Sequence, residues 1–344
     1  MELTPRKKAV LKAIVKAYIE TGEPVGSKNL TALLENAPSS ATLRNEMSEL
    51  CELGFLKQPH TSAGRIPTSN GYRFYVENLK SGTLPAGEVT AFIDSSLNSF
   101  NCEPENIPVA AAQALSRLTG LPAISCLITR RPPVIKRTEL LPIGRFSLML
   151  LMITDDGRTR SKIFRQAGGL TPELEMIFRS VSKQFINGKK VKTLTKAYMQ
   201  NLISDAGMHA LELMPLLSSV FETASEIHES DVTLKGENAL YNICSSEDSA
   251  RKILRLIKQR DPIISILENV GEGVGAVFGA DTGYSELNFG TFVAAKFSSS
   301  DKYTGYIGVI GPNRMPYEQI MPGIEYTAKR LTEIMTEAQK DLED

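Results

Sequence analysis

The stretch from Pro38 to Leu79, PSSATLRNEMSELCELGFLKQPHTSAGRIPTSNGYRFYVENL, admits few folds because its hydrophobic period changes twice within a short length of chain. Ser39 or Ser40 can cap a helix, a side-chain oxygen accepting a backbone N–H that the first turn leaves unpaired. Leu43, Met47, Leu50 and Leu53 then recur near helical spacing and are expected to face inward. The other face carries Ser40, Ala41, Thr42, Arg44, Asn45 and Ser48, side chains that are short or hydrogen-bonding and suit a helix seated in a DNA major groove. Gly54 closes the helix, and two extended runs, 55–58 and 65–68, are joined by PHTSAG, a hairpin tip by its proline and small residues. Lys57, His60 and Arg65 flank that tip, where cations meet phosphates or enter a minor groove. Tyr72, Tyr75, Val76 and Leu79 restore the helical period.

Upstream, Thr4-Pro5 opens a helix with Leu11, Ile14, Val15 and Tyr18 on one stripe as far as Gly22, and Ser27 opens a short one with Leu30, Leu33 and Leu34 inward. Arg6, Lys7 and Lys8 fit a DNA-backbone contact and a solvated face equally. Three helices and a basic hairpin make a winged helix-turn-helix over residues 1–80. Within this sequence, SSATLRNEM followed by QPHTSAGRIPT and GYRFYV resembles the HrcA family of heat-inducible transcription repressors, most densely from Val25 to Val76. Pro38 and Leu43 stand where that family usually has an apolar residue and an isoleucine. The resemblance implies an α+β protein in which the winged helix-turn-helix precedes a GAF-like domain interrupted by an inserted dimerisation domain. It also implies a repressor of chaperone genes that binds an inverted repeat in double-stranded DNA as a homodimer, loses activity on heat shock and is supported by the chaperonin.

The remainder of the chain is consistent with several domains at 344 residues, 42% of them apolar and 23% charged. SGTLPAGE, residues 81–88, has the composition of a linker. Helical patterns at 89–100 and 107–119 give way to strand-like runs at 123–129, 138–141, 146–154 and 159–164, the last two joined by Asp155-Asp156-Gly157. From 168 to 261 the pattern is mostly helical, with Pro215 opening one helix and strand-like DVTLKG and ALYNIC interrupting; strands at 274–278, 289–297 and 303–310 precede a last helix after Pro322. The GAF-like domain is therefore expected at 89–167 and 262–344, and the insertion at 168–261. Leu213, Leu217, Val220, Phe221 and Ala224 form an apolar stripe in that insertion, suited to a domain core or to a homodimer seam.

Charge places the nucleic-acid contact in the first domain: 39 basic and 39 acidic residues cancel overall, but residues 1–80 carry an excess of three cations and the remainder the same excess of anions. Four scattered cysteines and three dispersed histidines give no disulfide framework or zinc site. Gly271, Gly273, Gly275 and Gly279 precede a strand, the wrong order for a phosphate loop, and His209 near Glu212 lacks a third ligand. No cofactor, metal or catalytic site is expected, and no enzyme. The longest apolar run, Leu148 to Ile153, is too short to span a bilayer, so a cytoplasmic protein without membrane contact is expected. The rival to a heat-shock repressor is a winged-helix regulator that responds to a metabolite held in the GAF-like domain.

Overall fold

The computed structural model describes residues 3–34, 37–60, 64–79, 84–98, 106–205, 210–228, 230–244, 246–288, 290–299 and 302–343. The first domain forms α1 (Pro5–Thr21), α2 (Ser27–Leu33), α3 (Ser40–Glu52), the two-residue strands β1 (Leu56–Lys57) and β2 (Ile66–Pro67), and α4 (Ser69–Glu77). Its core gathers Leu11, Ile14 and Val15 of α1, Leu30 of α2, Leu43, Met47 and Leu50 of α3, and Tyr72, Tyr75 and Val76 of α4. Leu53, expected inside, is 39% exposed because α3 ends at Glu52 and Leu53 is its cap residue. Residues 61–63 of the expected hairpin tip and 81–83 of the expected linker lie outside the described residues.

After α5 (Gly87–Asn98) and α6 (Asn106–Thr119), β3 (Ala123–Thr129) enters a five-stranded antiparallel sheet. The chain then leaves it for β4 (Ile135–Pro142), β5 (Ser147–Thr154), β6 (Thr159–Arg165), α7 (Pro172–Val181), α8 (Lys196–Asp205) and α9 (Ala210–Ser225). It returns through β7 (Ser230–Lys235), α10 (Asn238–Ile243), α11 (Glu247–Lys258), α12 (Asp261–Glu268), β8 (Val274–Phe278), β9 (Gly290–Ser299) and β10 (Tyr303–Pro312), and closes with α13 (Tyr317–Glu343). The large sheet runs β7-β3-β10-β9-β8.

Successive residues of a strand point to opposite faces, and both faces of this sheet are covered. Val293, Ala295 and Phe297 of β9 pack with α5, α6 and α13, while Phe292 and Ala294 pack with α10, α11 and α12. Burial on both sides explains why these strands read as unbroken apolar runs.

The strands β4-β5-β6 form a separate three-stranded sheet whose inner residues, Leu150 and Met152 among them, share a core with α7, α8 and α9. This corrects the expected limits of the insertion. It lies between Thr129, where β3 ends, and Ser230, where β7 begins, so 130–167 belongs to it and 230–261 to the large sheet. Hydrophobic periodicity identifies a strand but not its partner, so the pattern before residue 168 is the same whether its strands join the large sheet or form their own. ALYNIC, expected as a strand, is mostly helix: the chain turns at Gly236 (φ 71°), and α10 buries Leu240 against the sheet. Pro215 and Pro322 lie inside α9 and α13 and do not open them.

The stripe on α9 is also corrected. Leu213, Leu217, Val220 and Ala224 are buried in the insertion's own core, and Phe221 is half-buried against it. Of the two roles open to this stripe, the domain core is the one its burial fits: the four buried side chains are packed by their own chain and present no surface for a seam. We expect Leu217→Ala to cost about 2–5 kcal/mol by urea denaturation, the range for opening a cavity in a packed core, with the same loss at low and high protein concentration.

Candidate nucleic-acid interface

The N-terminus of α3 is built by local hydrogen bonds. Ser39 Oγ accepts from Thr42 N at 3.2 Å and lies 3.0 Å from Thr42 Oγ1, while Ser40 Oγ is 2.9 Å from Ser27 Oγ at the start of α2. The cap forms with Pro38 in place, so that departure from the family pattern leaves the helix intact. The hydroxyls of Ser40 and Thr42 are thus engaged within the domain. Arg44 and Asn45 are exposed and Ser48 half-exposed, and none of the three has a side-chain partner among the described residues.

The same helix carries acids that a DNA-facing element must neutralise. Glu46, in the inward stripe with Leu43, Met47 and Leu50, is 3% exposed and accepts from Arg6 Nε; Glu49 is 2.6 Å from Lys7 Nζ. Arg6 and Lys7 therefore tie α1 to α3, a role outside the two weighed for them. The signal was the position of Glu46, three residues after Leu43 and four before Leu50, on a face otherwise apolar.

The wing is anchored at its base. Leu56 pairs with Pro67 and Lys57 with Ile66, and Val25, between α1 and α2, exchanges two 2.9 Å backbone hydrogen bonds with Arg65. Gly64 permits this approach, since a Cβ there would overlap the Val25 carbonyl. Lys57 and His60 are exposed; Arg65 is half-buried, with its Nε buried and unpaired among the described residues.

The side of the domain formed by α1 and α4 docks on the large sheet. Tyr75 Oη donates to Glu318 at 2.9 Å, Lys16 Nζ is 3.2 Å from the same carboxylate, and Arg73 pairs with Asp281 while lying 5.7 Å from the centre of the Phe278 ring. Burial first, and then the bond to Glu318, push the Tyr75 phenol well above its ordinary pKa. Beside these contacts is a cleft of about 780 Å³, walled by Val76 and Leu79 on one side and Val274, Ala276 and Met321 on the other. Docking leaves the outer face of α3 and the wing uncovered.

An uncovered helix bearing Arg44 and Asn45 beside a wing that carries Lys57, His60 and Arg65 is the geometry of a DNA-binding head, and comparison with known proteins agrees. Residues 2–80 match the family described as winged helix-turn-helix transcription repressor, HrcA DNA-binding, and residues 106–321 match the HrcA protein C terminal domain. The chain belongs to the HrcA family. Two curated relatives are each named heat-inducible transcription repressor HrcA. The relative from Acetivibrio thermocellus is 29% identical over 97% of this chain and 96% of its own length. The relative from Alkaliphilus metalliredigens is 28% identical over 97% and 98%. A crystal structure of a protein described as hypothetical superposes with a TM-score of 0.66 at 25% identity, covering 98% of this chain and 100% of that one.

In this HrcA-family chain the described residues hold no group of three or more His, Cys, Asp or Glu side chains placed to bind a metal, and no helix long and apolar enough to cross a membrane. His209, weighed with Glu212 as a ligand pair, lies outside the described residues. The glycine string brackets β8: Gly273 takes a φ of 82° in the turn before it, Gly271 and Gly275 line the cleft, and Gly279 follows the strand. We expect Ser39→Ala, which removes the cap of α3, to lower the stability of the head by about 0.5–2 kcal/mol in thermal or urea denaturation.

Proposed function

We propose that the chain is a cytoplasmic heat-responsive repressor of chaperone genes that occupies an inverted-repeat operator as a homodimer. The observation that carries this reading is the uncovered face of α3. Arg44, Asn45 and Ser48 read base edges there, with Thr42 and Ser40 shaping the helix start, while Lys57, His60 and Arg65 hold the backbone or the minor groove from the wing. Pairing of Arg6 with Glu46 and of Lys7 with Glu49 supports it by offsetting two of the three acidic charges of α3.

Two heads on one duplex require a tether, and the corrected insertion suggests its surface. One face of the β4-β5-β6 sheet packs on helices; on the other, Leu141, Met149 and Ile163 are register partners across all three strands, with Leu141 and Ile163 37% and 63% exposed. An apolar row of this kind suits a second copy of the same sheet. The heat response rests on the relatives' name. Support from the chaperonin rests on the resemblance to the family, and it is in keeping with a chain of three packed parts, which exposes apolar surface on partial unfolding and is prone to aggregate before it refolds.

The cleft between head and sheet favours a second reading, a regulator whose head orientation responds to a small molecule. A saturable effector in a thermal-shift screen, paired with unchanged operator binding after a heat pulse with or without chaperonin and ATP, would select it.

Selecting bound fragments from random DNA supplies the operator. Against it, Arg44→Ala is expected to cost about 1–3 kcal/mol on operator DNA and little on random DNA, the signature of a lost base contact. Equal loss on both removes Arg44 from base reading. Met149→Lys with Ile163→Lys is expected to give a folded monomer in sedimentation and circular dichroism, with operator affinity reduced; Leu211→Lys with Met214→Lys, placed on exposed positions of α9, is expected to remain dimeric.

A further inference from the structure

The insertion is joined to the large sheet by two crossings of the chain, one leaving after Thr129 and one entering at Ser230, and the turn between β5 and β6 grips both. On the outgoing side, Asp155 N donates to Val134 O and Val134 N donates to Asp155 Oδ1, each at 2.8 Å. On the returning side, the fully buried Arg158 donates from Nη1 to His228 O and lies 3.6 Å from an oxygen of Asp231 in β7. Its Nε is 3.4 Å from Asp156 Oδ2. From the sheet itself, Tyr303 at the start of β10 donates through its hydroxyl to Asp156 O at 2.8 Å, with its ring centre 5.6 Å from the guanidinium carbon.

Burial works against the charge on Arg158, but Asp156 first, then Tyr303 and Asp231, outweigh it and keep the guanidinium protonated. A buried ion pair adds little stability over apolar residues of the same volume, whereas its donors are fixed in direction by a planar fork. Apolar packing would hold the two parts together; the guanidinium also fixes the angle between them. The outgoing crossing adds stiffness, because Pro132-Pro133 restricts two successive φ angles.

We propose that Arg158 is a positioning residue for operator recognition: by locking the insertion to the sheet it sets the separation and rotation of the two heads, and so the spacing of half-sites the dimer accepts. This rests on the dimer reading above. The path is continuous, from Arg158 through Tyr303 to the sheet, and from the sheet to the head through Glu318 and Asp281. Adding two base pairs between half-sites moves them apart by about 7 Å and rotates them by about 70°, which a rigid dimer cannot follow.

The test uses the full chain with Arg158→Met, and Tyr303→Phe, which keeps the ring and removes the hydroxyl that bonds Asp156 and acts on Arg158. Sedimentation reports the dimer, and titration uses the selected inverted repeat with its spacer unchanged or altered by two base pairs. The unsubstituted chain is expected to lose about tenfold or more on the altered spacers, and the dimeric Arg158→Met chain less than about threefold, with Tyr303→Phe moving in the same direction. If Arg158→Met loses its fold or dimer, Tyr303→Phe alone decides. Dimeric variants that reject altered spacers as strongly as the unsubstituted chain overturn the proposal, and so does a Tyr303→Phe chain without effect when Arg158→Met fails to fold. A monomeric or spacer-blind unsubstituted chain overturns the dimer reading itself, and this inference with it.

Discussion

Burial of the five-stranded sheet on both faces is the constraint from which the rest of the structure follows. A strand such as β9, with Phe292 and Ala294 directed to one side and Val293, Ala295 and Phe297 to the other, has no face that tolerates water. Two helical layers are therefore obligatory, α5, α6 and α13 on one side and α10 to α12 on the other. Backbones approach closely in the middle: a Cβ on Gly308 would overlap the Val293 carbonyl, and one on Gly305 the Cys126 carbonyl. The layer that includes α13 continues into the core of the head, with the rings of Tyr72 and Tyr317 6.3 Å apart. Head and sheet thus share apolar surface, with the polar contacts of Tyr75, Lys16 and Arg73 at its margin.

The insertion solves the same problem on a smaller scale and leaves it half solved. Its three-stranded sheet has helices on one face only, and the apolar stripe of α9 is consumed in covering that face. What remains uncovered is the row of Leu141, Met149 and Ile163 on the other. An unsatisfied sheet face and a satisfied helix stripe exchange the roles that an amphipathic helix alone would suggest, since a helix with one apolar face needs only one partner.

Charge is organised by the same division of surfaces. Two acids of α3, Glu46 and Glu49, are paired by cations of α1, while Arg44 on its outer face and Glu52 at its end are exposed without a side-chain partner among the described residues. Cations of α1 and α4 on the other side of the head, Lys16 and Arg73, face carboxylates of the sheet domain. The near-zero net charge of the chain, 39 basic against 39 acidic residues, says little about its affinity for DNA, which depends on where the unpaired cations lie.

The head was legible in the sequence because everything that specifies it is local: a cap at Ser39, a stripe of Leu43, Met47 and Leu50, a proline and glycine at the wing, and a return helix, all within a few turns of one another. The strands and most helices of the remainder were legible for the same reason, period 2 and period 3.6 being properties of neighbouring residues. Partnership was not. Whether β4, β5 and β6 join β3 or form their own sheet, and whether Leu217 meets its own chain or another, depends on residues far away in sequence, and an apolar side chain has the same pattern in either place. The pairing of Arg6 with Glu46, across 40 residues, and of Arg158 with Asp231 and Tyr303 belongs to the same class. The sequence determined which segments are helix and strand and which head reads DNA; the tertiary structure alone decided which faces were left uncovered, because burial is a property of the assembled layers and not of any segment.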